Sequence, residues 1–336
     1  MTPQQVLEQL RNGKRAPLYL LIGEASYWRD ALLAGLGIHD PDVEVESFSD
    51  DGISAAAVIQ ACDTFTLFGE RRLVLWEAPP WLVEGKGPSL SAGEEQALFH
   101  YLERPNENTT LVLLAAAVNG RARTVQQLRH HAVEVSLTEA KPNEAIRFVR
   151  DFFAAKGVRI TPAVAEAIAF RVGNDWMQLH SECEKLLAYC AGQPVTVESV
   201  AEVVSASAQG QLFDVADLLL SGRGAEAVTL ARRMLAGGES PQGLLGLLAW
   251  QYRLLYGALL LRERNGDPNA LAKAMDAHPF AARNAFRHSQ QLDVAAVSWA
   301  LRRLAAVDHA IKNGEGSAET LTLTFLAEAA SHRCIR

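Results

Sequence analysis

The chain has 336 residues, of which 49% are apolar and 21% charged, and its formal net charge is −7. This composition excludes a disordered chain, and the length allows two or three domains with a sizeable core. The acidic balance argues against a protein that coats nucleic acid by charge alone. The N-terminal stretch MTPQQVLEQLRNGKR lacks a signal-peptide core, and no uninterrupted apolar run approaches the ~20 residues of a membrane span. We therefore expect a cytoplasmic protein with no membrane partner.

Residues 17–137 alternate between strand and helix patterns. Such alternation requires crossover connections, so it predicts a mostly parallel sheet covered by helices on both faces. Pro79–Gly93 is rich in glycine and proline and is predicted to be a surface loop. The predicted strands are Leu18–Ile22, Val43–Phe48, Leu73–Trp76, Thr110–Leu114 and Val133–Leu137.

After Glu139 the strand patterns stop, and the rest of the chain is predicted to be helical. Ser205–Gly210 is predicted to be a linker between a small helical domain and the helices that follow it. Beyond it, one long helix carries an apolar face from Leu244 to Leu259, and Gly266-Asp267 ends it. A further helix is expected to begin at His278-Pro279, since proline is tolerated in the first turn. The helices of the small domain are predicted at Pro142–Lys156, Thr161–Val172, Asp175–Ala191 and Thr196–Val204.

The end of the first predicted strand lacks the residues of a nucleotide site. A phosphate loop, GxxxxGK[ST], needs glycines for close backbone approach, a lysine for the phosphates and a hydroxyl for Mg²⁺. Here Gly23 stands alone, Trp28 and Arg29 replace the expected GK, and Glu24 adds negative charge. The third strand ends at a lone Glu77, without the acidic pair that holds Mg²⁺. We therefore expect no hydrolysis of a nucleoside triphosphate and no nucleotide cofactor.

Other catalytic and metal-binding patterns are incomplete. His180 and Cys183 share a helix face but lack two further ligands, and no CxxC, GxSxG or HExxH occurs. Cys183 and Cys190 lie ~10 Å apart along one helix, too far for a disulfide, and are expected to be small buried residues. We predict no catalytic residue and no metal site.

The stretch DTFTLFGERRLVLW places three large apolar residues, Phe65, Leu67 and Phe68, in a short connection before a strand. Turns are usually polar, so these residues need an explanation. One interpretation is that they close the end of the α/β core. The other is that they form an exposed anchor for a partner: if residues 65 and 67 face one way and residue 68 the other, at least one apolar side chain is expected to be exposed.

The three-part layout resembles the delta subunit of the bacterial DNA polymerase III clamp loader. The resemblance covers almost the whole chain, and its specificity lies in the order and spacing of its parts. The similar segments are APLYLLIGE at 16–24, FTLFGERRLV at 65–74, GND at 173–175 with Leu179, Glu182 and EKL at 184–186, AEA at 225–227, GLLAWQYR at 246–253 and HPFA at 278–281.

The resemblance implies an α/β plus all-α fold: an AAA+-like parallel-sheet N-terminal domain, a small helical lid domain and a C-terminal helical collar domain. We expect these domains at 1–138, 139–209 and 210–336. In this family the delta subunit has no ATPase activity of its own, in agreement with the degenerate phosphate loop. The label DNA-directed DNA polymerase would attach to it only through the polymerase III holoenzyme.

The resemblance also implies partners and a site. In this family, delta binds and opens the ring-shaped sliding clamp (beta) with an exposed Leu-Phe pair, which falls on Leu67 and Phe68, with Phe65 upstream. Phe65 departs from the longer flexible side chains common at that position. The further implied partners are the other loader subunits, of tau/gamma and delta-prime type, and primed DNA within the complex.

Two alternatives belong to other classes. A degenerate AAA+ NTPase would hydrolyse ATP by itself. A delta-prime-type subunit would carry a Ser-Arg-Cys motif and zinc-binding cysteines, and the chain has neither. In the predicted collar, Arg283 and Arg287 lie four residues apart on one helix. They either contact phosphate or form a solvated helix face.

Overall fold

The structure is a computed structural model, which describes residues 1–49, 52–64, 71–82 and 90–332, with Ala208 and Gln209 described by their backbone alone. The chain divides into two compact units, Met1–Glu139 and Ala140–Arg336. The first unit is α/β and the second is helical in its described residues. The further division of the second unit into lid and collar stays a prediction.

The first unit contains a parallel five-stranded sheet with the order β2-β3-β4-β1-β5. All five predicted strands are confirmed, and three of them are longer than predicted, by one to three residues. Their runs of apolar residues are buried because helices cover the sheet. The strands are β1 Leu18–Gly23, β2 Val43–Phe48, β3 Arg71–Glu77, β4 Thr109–Ala115 and β5 Val133–Leu137.

Five described helices accompany this sheet. One face of the sheet packs against α3, α4 and α5 around Val74, Trp76 and Leu111. Alternate residues such as Leu21 and Val112 point to the opposite face and are also buried. The helices are α1 Pro3–Arg11, α2 Ser26–Leu36, α3 Ala55–Asp63, α4 Ala92–Glu103 and α5 Arg123–His131.

The surface loop predicted at Pro79–Gly93 is wrong at both of its ends. Leu82 is fully buried in the core of the first unit, and the Trp81 ring packs edge-on against Trp76 at 5.5 Å. At the other end, Ser91 caps α4, so Gly93 is helical. Residues 83–89 lie outside the described residues.

The second unit consists of helices α6–α16 in its described residues. The four helices predicted after Glu139 are confirmed to within one residue at each end. The break at Gly266-Asp267 and the start at His278-Pro279 are confirmed as well. The helices are α6 Pro142–Ala155, α7 Pro162–Val172, α8 Trp176–Cys190, α9 Val197–Val203, α10 Ala208–Leu220, α11 Gly224–Ala236, α12 Pro241–Glu263, α13 Pro268–Met275, α14 Pro279–His288, α15 Val294–Lys312 and α16 Ala318–Ser331.

The linker predicted at Ser205–Gly210 is wrong in its second half, because α10 begins at Ala208. The hydroxyl of Ser207 accepts a hydrogen bond from the Gly210 N–H at 3.1 Å and so caps this helix. The Ser207 N–H and hydroxyl both donate to the Arg171 carbonyl, at 2.9 and 3.1 Å. The connection between α9 and α10 is therefore hydrogen-bonded to the end of α7.

One described helix, α12, has the length and apolar composition of a membrane span. Its Leu244, Leu248 and Leu255 are fully buried and belong to the same core cluster as Phe325 of α16. It also contacts α10, α13, α14 and α15. These contacts make α12 the central helix of the helical core.

His278 is a neutral cap at the start of α14. Its Nδ1 accepts a hydrogen bond from the Phe280 N–H at 3.2 Å, and its ring packs against Phe170. Burial lowers the pKa of His278 from 6.5 to about 4. A histidine held neutral in this way can accept from the backbone only while it stays unprotonated.

We expect the protein to lose stability through His278 as the pH falls. Between pH 6.5 and pH 4 the unfolded chain binds a proton that the folded chain excludes, so this contribution is present above pH 6.5 and is lost towards pH 4. In urea unfolding at pH 7.5 and 4.5, wild type should lose about 2–3 kcal/mol more than His278→Asn, which keeps a capping oxygen. Parallel pH profiles of the two proteins would contradict the assignment.

Candidate partner-binding site

The junction between β1 and α2 is the position at which an α/β nucleotide-binding domain holds phosphate, at the carboxyl end of the first strand. Here β1 ends at Gly23 and α2 begins at Ser26, so only Glu24 and Ala25 connect them. The Ala25 N–H donates to the Leu137 carbonyl at 3.1 Å. Gly23 has φ +126°, and a Cβ there would overlap the same carbonyl oxygen. The ends of β1 and β5 are thus joined by a hydrogen bond and a close backbone contact.

The side chains at this junction differ in exposure and in their partners. Glu24 is exposed, and Trp28 is buried inside the unit rather than facing the strand end. Arg29 is exposed and forms an ion pair with the adjacent Asp30 at 2.9 Å. Glu77, at the end of β3, is exposed. Arg29, the basic residue of the predicted degenerate phosphate loop, is therefore already paired with a carboxylate.

The predicted anchor residues Phe65, Leu67 and Phe68 lie outside the described residues, so their role stays a prediction. Both flanks of their segment are described. On one side α3 ends at Asp63, followed by Thr64, whose hydroxyl donates to the Gln60 carbonyl at 2.7 Å. On the other side β3 begins at Arg71.

Arg72 joins the two flanks. Its side chain is only 7% exposed, and its Nη1 donates to the carbonyls of Ala61 and Thr64 at 3.0 and 3.3 Å. Its Nη2 lies 2.7 Å from Glu44 Oε1 and 3.3 Å from Glu46 Oε2, both on β2. We call these five residues the Arg72 cluster. It satisfies carbonyls that the end of α3 leaves without helical partners and ties them to the start of β3.

Two neighbouring residues complete the support of this helix end. Thr109 Oγ1 and Asn106 Nδ2 both donate to the Cys62 carbonyl, at 2.8 and 3.2 Å. The sequence did not indicate this arrangement, because Arg72 directly precedes the predicted strand Leu73–Trp76 and nothing in its position selects these partners. The one available signal was a charged residue next to a fully apolar strand, where burial requires a partner.

His180 and Cys183 were the residues considered as metal ligands in the sequence. Cys183 is fully buried, and burial raises the pKa of its thiol to about 12. His180 is half-buried and packs edge-on against Phe152 at 5.4 Å. Within the described ranges, no three His, Cys, Asp or Glu side chains are grouped to hold a metal ion.

Comparison with known proteins identifies two matching sequence models. The model described as DNA polymerase III, delta subunit matches residues 41–138. The model described as DNA polymerase III delta subunit, C-terminal domain matches residues 209–329. Together they cover more than half of the chain. The chain belongs to the DNA polymerase III delta subunit family.

Individual proteins agree with this assignment. The chain is 22% identical to the DNA polymerase III subunit delta of Bacillus subtilis (strain 168) over 333 residues, which is 96% of this chain and 95% of that protein. The Bacillus subtilis DNA clamp loader delta protein (YqeN) shares its fold, with a TM-score of 0.56, 21% identity and coverage of 98% and 99% of the two chains. The Thermotoga maritima RuvB Holliday junction branch migration motor reaches a TM-score of only 0.34 at 13% identity, covering 85% and 84%.

In this delta-family chain, Arg283 and Arg287 lie within the matched C-terminal domain, and carboxylates engage both. Arg283 forms an ion pair with the buried Glu166 of α7. Arg287 donates to Asp217 at 2.8 Å, and the buried His288 lies 2.7 Å from the same carboxylate. Burial raises the pKa of Asp217, but the hydrogen bonds and charges of His288 and Arg287 outweigh it and lower that pKa overall. Arg287 is exposed and Arg283 is half-buried, and a contact of either with phosphate stays a prediction.

Proposed function

We propose that this delta-family chain binds the ring-shaped sliding clamp and opens it, so that the clamp can be loaded onto primed DNA during replication. The observation that carries the proposal is the LF pair at 67–68. In the sequence this pair lies between α3 and β3, inside the matched range 41–138. The family assignment supports the choice of partner. An exposed leucine and phenylalanine would be anchors for an apolar pocket on the clamp.

We propose further that the chain works within a complex in the cytoplasm. Its partners there are the ATPase subunits of tau/gamma type, a delta-prime-type subunit and primed DNA. The predicted collar, residues 210–336, would make the contacts with the other loader subunits. The match of the delta C-terminal model to residues 209–329 supports this assignment. The chain contributes binding and mechanical work, and neighbouring subunits supply the energy of ATP hydrolysis.

Co-elution tests the proposed function directly. The purified full chain and the sliding clamp of the same organism should leave a gel-filtration column together, and each alone should elute later. Serum albumin in place of the clamp serves as the control for non-specific association. Separate elution at micromolar concentrations of both proteins would refute clamp binding.

We expect the chain to bind ATP poorly and not to hydrolyse it. The two-residue junction between β1 and α2 leaves no loop to surround phosphates, and the Leu137 carbonyl already accepts from Ala25. Trp28→Lys and Arg29→Lys should each fail to produce phosphate release, because a lysine restores neither the loop nor the Mg²⁺ ligands. Calorimetric titration that shows micromolar ATP binding by the wild-type chain would contradict this expectation.

A further inference from the structure

A cavity of about 250 Å³ opens at the edge of the sheet where the parallel strands begin. Its walls come from Arg15, before β1, from Leu36, at the end of α2, and from the segment 105–110, which leads into β4. Arg71 and Arg72, the first residues of β3, complete it. The same two arginines directly follow segment 65–70 in the sequence, and that segment holds the predicted clamp-binding residues.

The arginines of this cavity are unequally neutralised. Arg71 forms an ion pair with Asp40 at 2.9 Å, and Arg72 is paired within the Arg72 cluster. Arg15 donates through Nη1 to the Leu36 carbonyl at 2.6 Å, but no carboxylate of the described residues forms an ion pair with it. The cavity therefore offers the exposed guanidinium of Arg15, which an added anion would neutralise.

The charge of Arg15 supports this conclusion. Partial burial, followed by the neighbouring positive charge of Arg71, lowers the pKa of Arg15 from its ordinary value, although Tyr19 and Asp40 act in the opposite direction. A guanidinium stays protonated even so. An anion placed between Arg15 and Arg71 would relieve their mutual repulsion.

We propose that this cavity receives one acidic side chain, Asp or Glu, of the sliding clamp, as a second contact beside segment 65–70. The inference rests on the proposed function, because it takes the clamp as the partner. A guanidinium presents its donors in a planar fork that matches the two oxygens of a carboxylate. The contact would help to fix the orientation of the clamp on the chain, because charge pairing adds a directional contact to the apolar anchors at 67–68.

A protein carboxylate fits the surroundings better than the phosphate backbone of DNA. Residues 1–139 hold 11 Lys and Arg against 19 Asp and Glu, so the first unit as a whole repels a polyanion. The carboxylate of Glu107 lines the cavity, and Glu44 and Glu46 lie beside Arg72. Continuity with segment 65–70 favours the same partner at both places.

Charge reversal of Arg15 tests the contact in the full chain. Arg15→Glu should weaken clamp binding roughly tenfold at low salt, and the difference from wild type should shrink as salt rises. The matched control is Arg29→Glu, another exposed arginine of the first unit, which lies at the carboxyl end of β1 and should leave clamp affinity unchanged. Primed-template DNA, followed by fluorescence anisotropy, should bind all three proteins alike.

Zero-length cross-linking identifies the occupant independently of affinity. Arg15→Lys keeps the positive charge and supplies an amine that a carbodiimide joins to a carboxylate, releasing the activated oxygen as a urea. The expected product is an amide between position 15 and an Asp or Glu of the clamp, located by mass spectrometry. If Arg15→Glu does not fold, the cross-linking of Arg15→Lys still tests the contact.

The outcomes separate the inference from the function on which it rests. Unchanged clamp affinity in Arg15→Glu, with no cross-link to the clamp, overturns the second contact. Loss of DNA binding with full clamp binding also overturns it and makes the cavity a phosphate site. If the wild-type chain does not bind the clamp at all, the proposed function itself fails.

Discussion

The double variant Leu67→Ala/Phe68→Ala is expected to lose stable binding to the sliding clamp while it keeps its fold. Truncation of a central apolar anchor at an interface costs about 2–4 kcal/mol, so the loss of two anchors should weaken binding at least about a thousandfold. Clamp affinity and thermal unfolding would be measured on the same preparation. An unchanged melting temperature together with lost binding is the result that a surface anchor predicts.

Two single variants calibrate this experiment. Leu260→Ala removes a leucine that is exposed, at 41%, in the second unit and should change neither stability nor clamp binding. Leu82→Ala truncates a fully buried leucine of the first unit and should cost about 2–5 kcal/mol of stability. If Leu67 and Phe68 instead close the end of the core, the double variant will unfold early, as Leu82→Ala does. Full clamp binding by a folded double variant would place the contact elsewhere.

The strands of the first unit could be predicted because each is a short run of buried apolar residues. That signal comes from the residues of the strand and from their burial under helices. It can therefore be recognised without knowing which strands lie beside it. The order of the strands follows less directly, because several crossover patterns satisfy the same alternation. The helix start at Pro279 was predictable because proline is tolerated in the first turn and so marks the start locally.

Contacts between distant residues were not predictable in this way. Arg171 pairs with Asp214 at 2.7 Å, and Arg283 pairs with Glu166, yet nothing in the spacing of these residues selects their partners. The predicted linker failed for the same reason. Ser207 caps a helix and bonds to α7, whereas its small polar neighbours indicate only a flexible connection.

The candidate site was also predictable only in part. The apolar segment with Phe65, Leu67 and Phe68 was found from its composition and from its resemblance to a family, and its role stays a prediction. The Arg72 cluster was not found, because it depends on β2 lying beside β3 and on the end of α3 lying above both. The Arg72 cluster matters for function only if holding the end of α3 to the start of β3 affects what segment 65–70 binds.

Arg72→Met is expected to lower the free energy of unfolding by about 2–4 kcal/mol. Methionine keeps much of the aliphatic stem but leaves the carbonyls of Ala61 and Thr64 without their donor and the carboxylates of Glu44 and Glu46 without a countercharge. Removal of one partner from a buried ionic group typically costs about 3–5 kcal/mol, and the solvent exposure of the two glutamates reduces that cost here. Urea unfolding of the two proteins at pH 7.5 provides the measurement.

The adjacent arginine supplies the control. Arg71→Met removes a half-exposed ion pair with Asp40 and should cost no more than about 1 kcal/mol. In Arg72→Met with Glu44→Gln and Glu46→Gln, part of the lost stability should return, because the uncompensated carboxylates are gone and only the carbonyls remain unpaired. At a temperature where Arg72→Met is folded, its clamp affinity should still be below that of wild type, since both flanks of segment 65–70 have lost their common support. Equal stability losses in Arg71→Met and Arg72→Met would show that the cluster does not hold the end of α3 to β3.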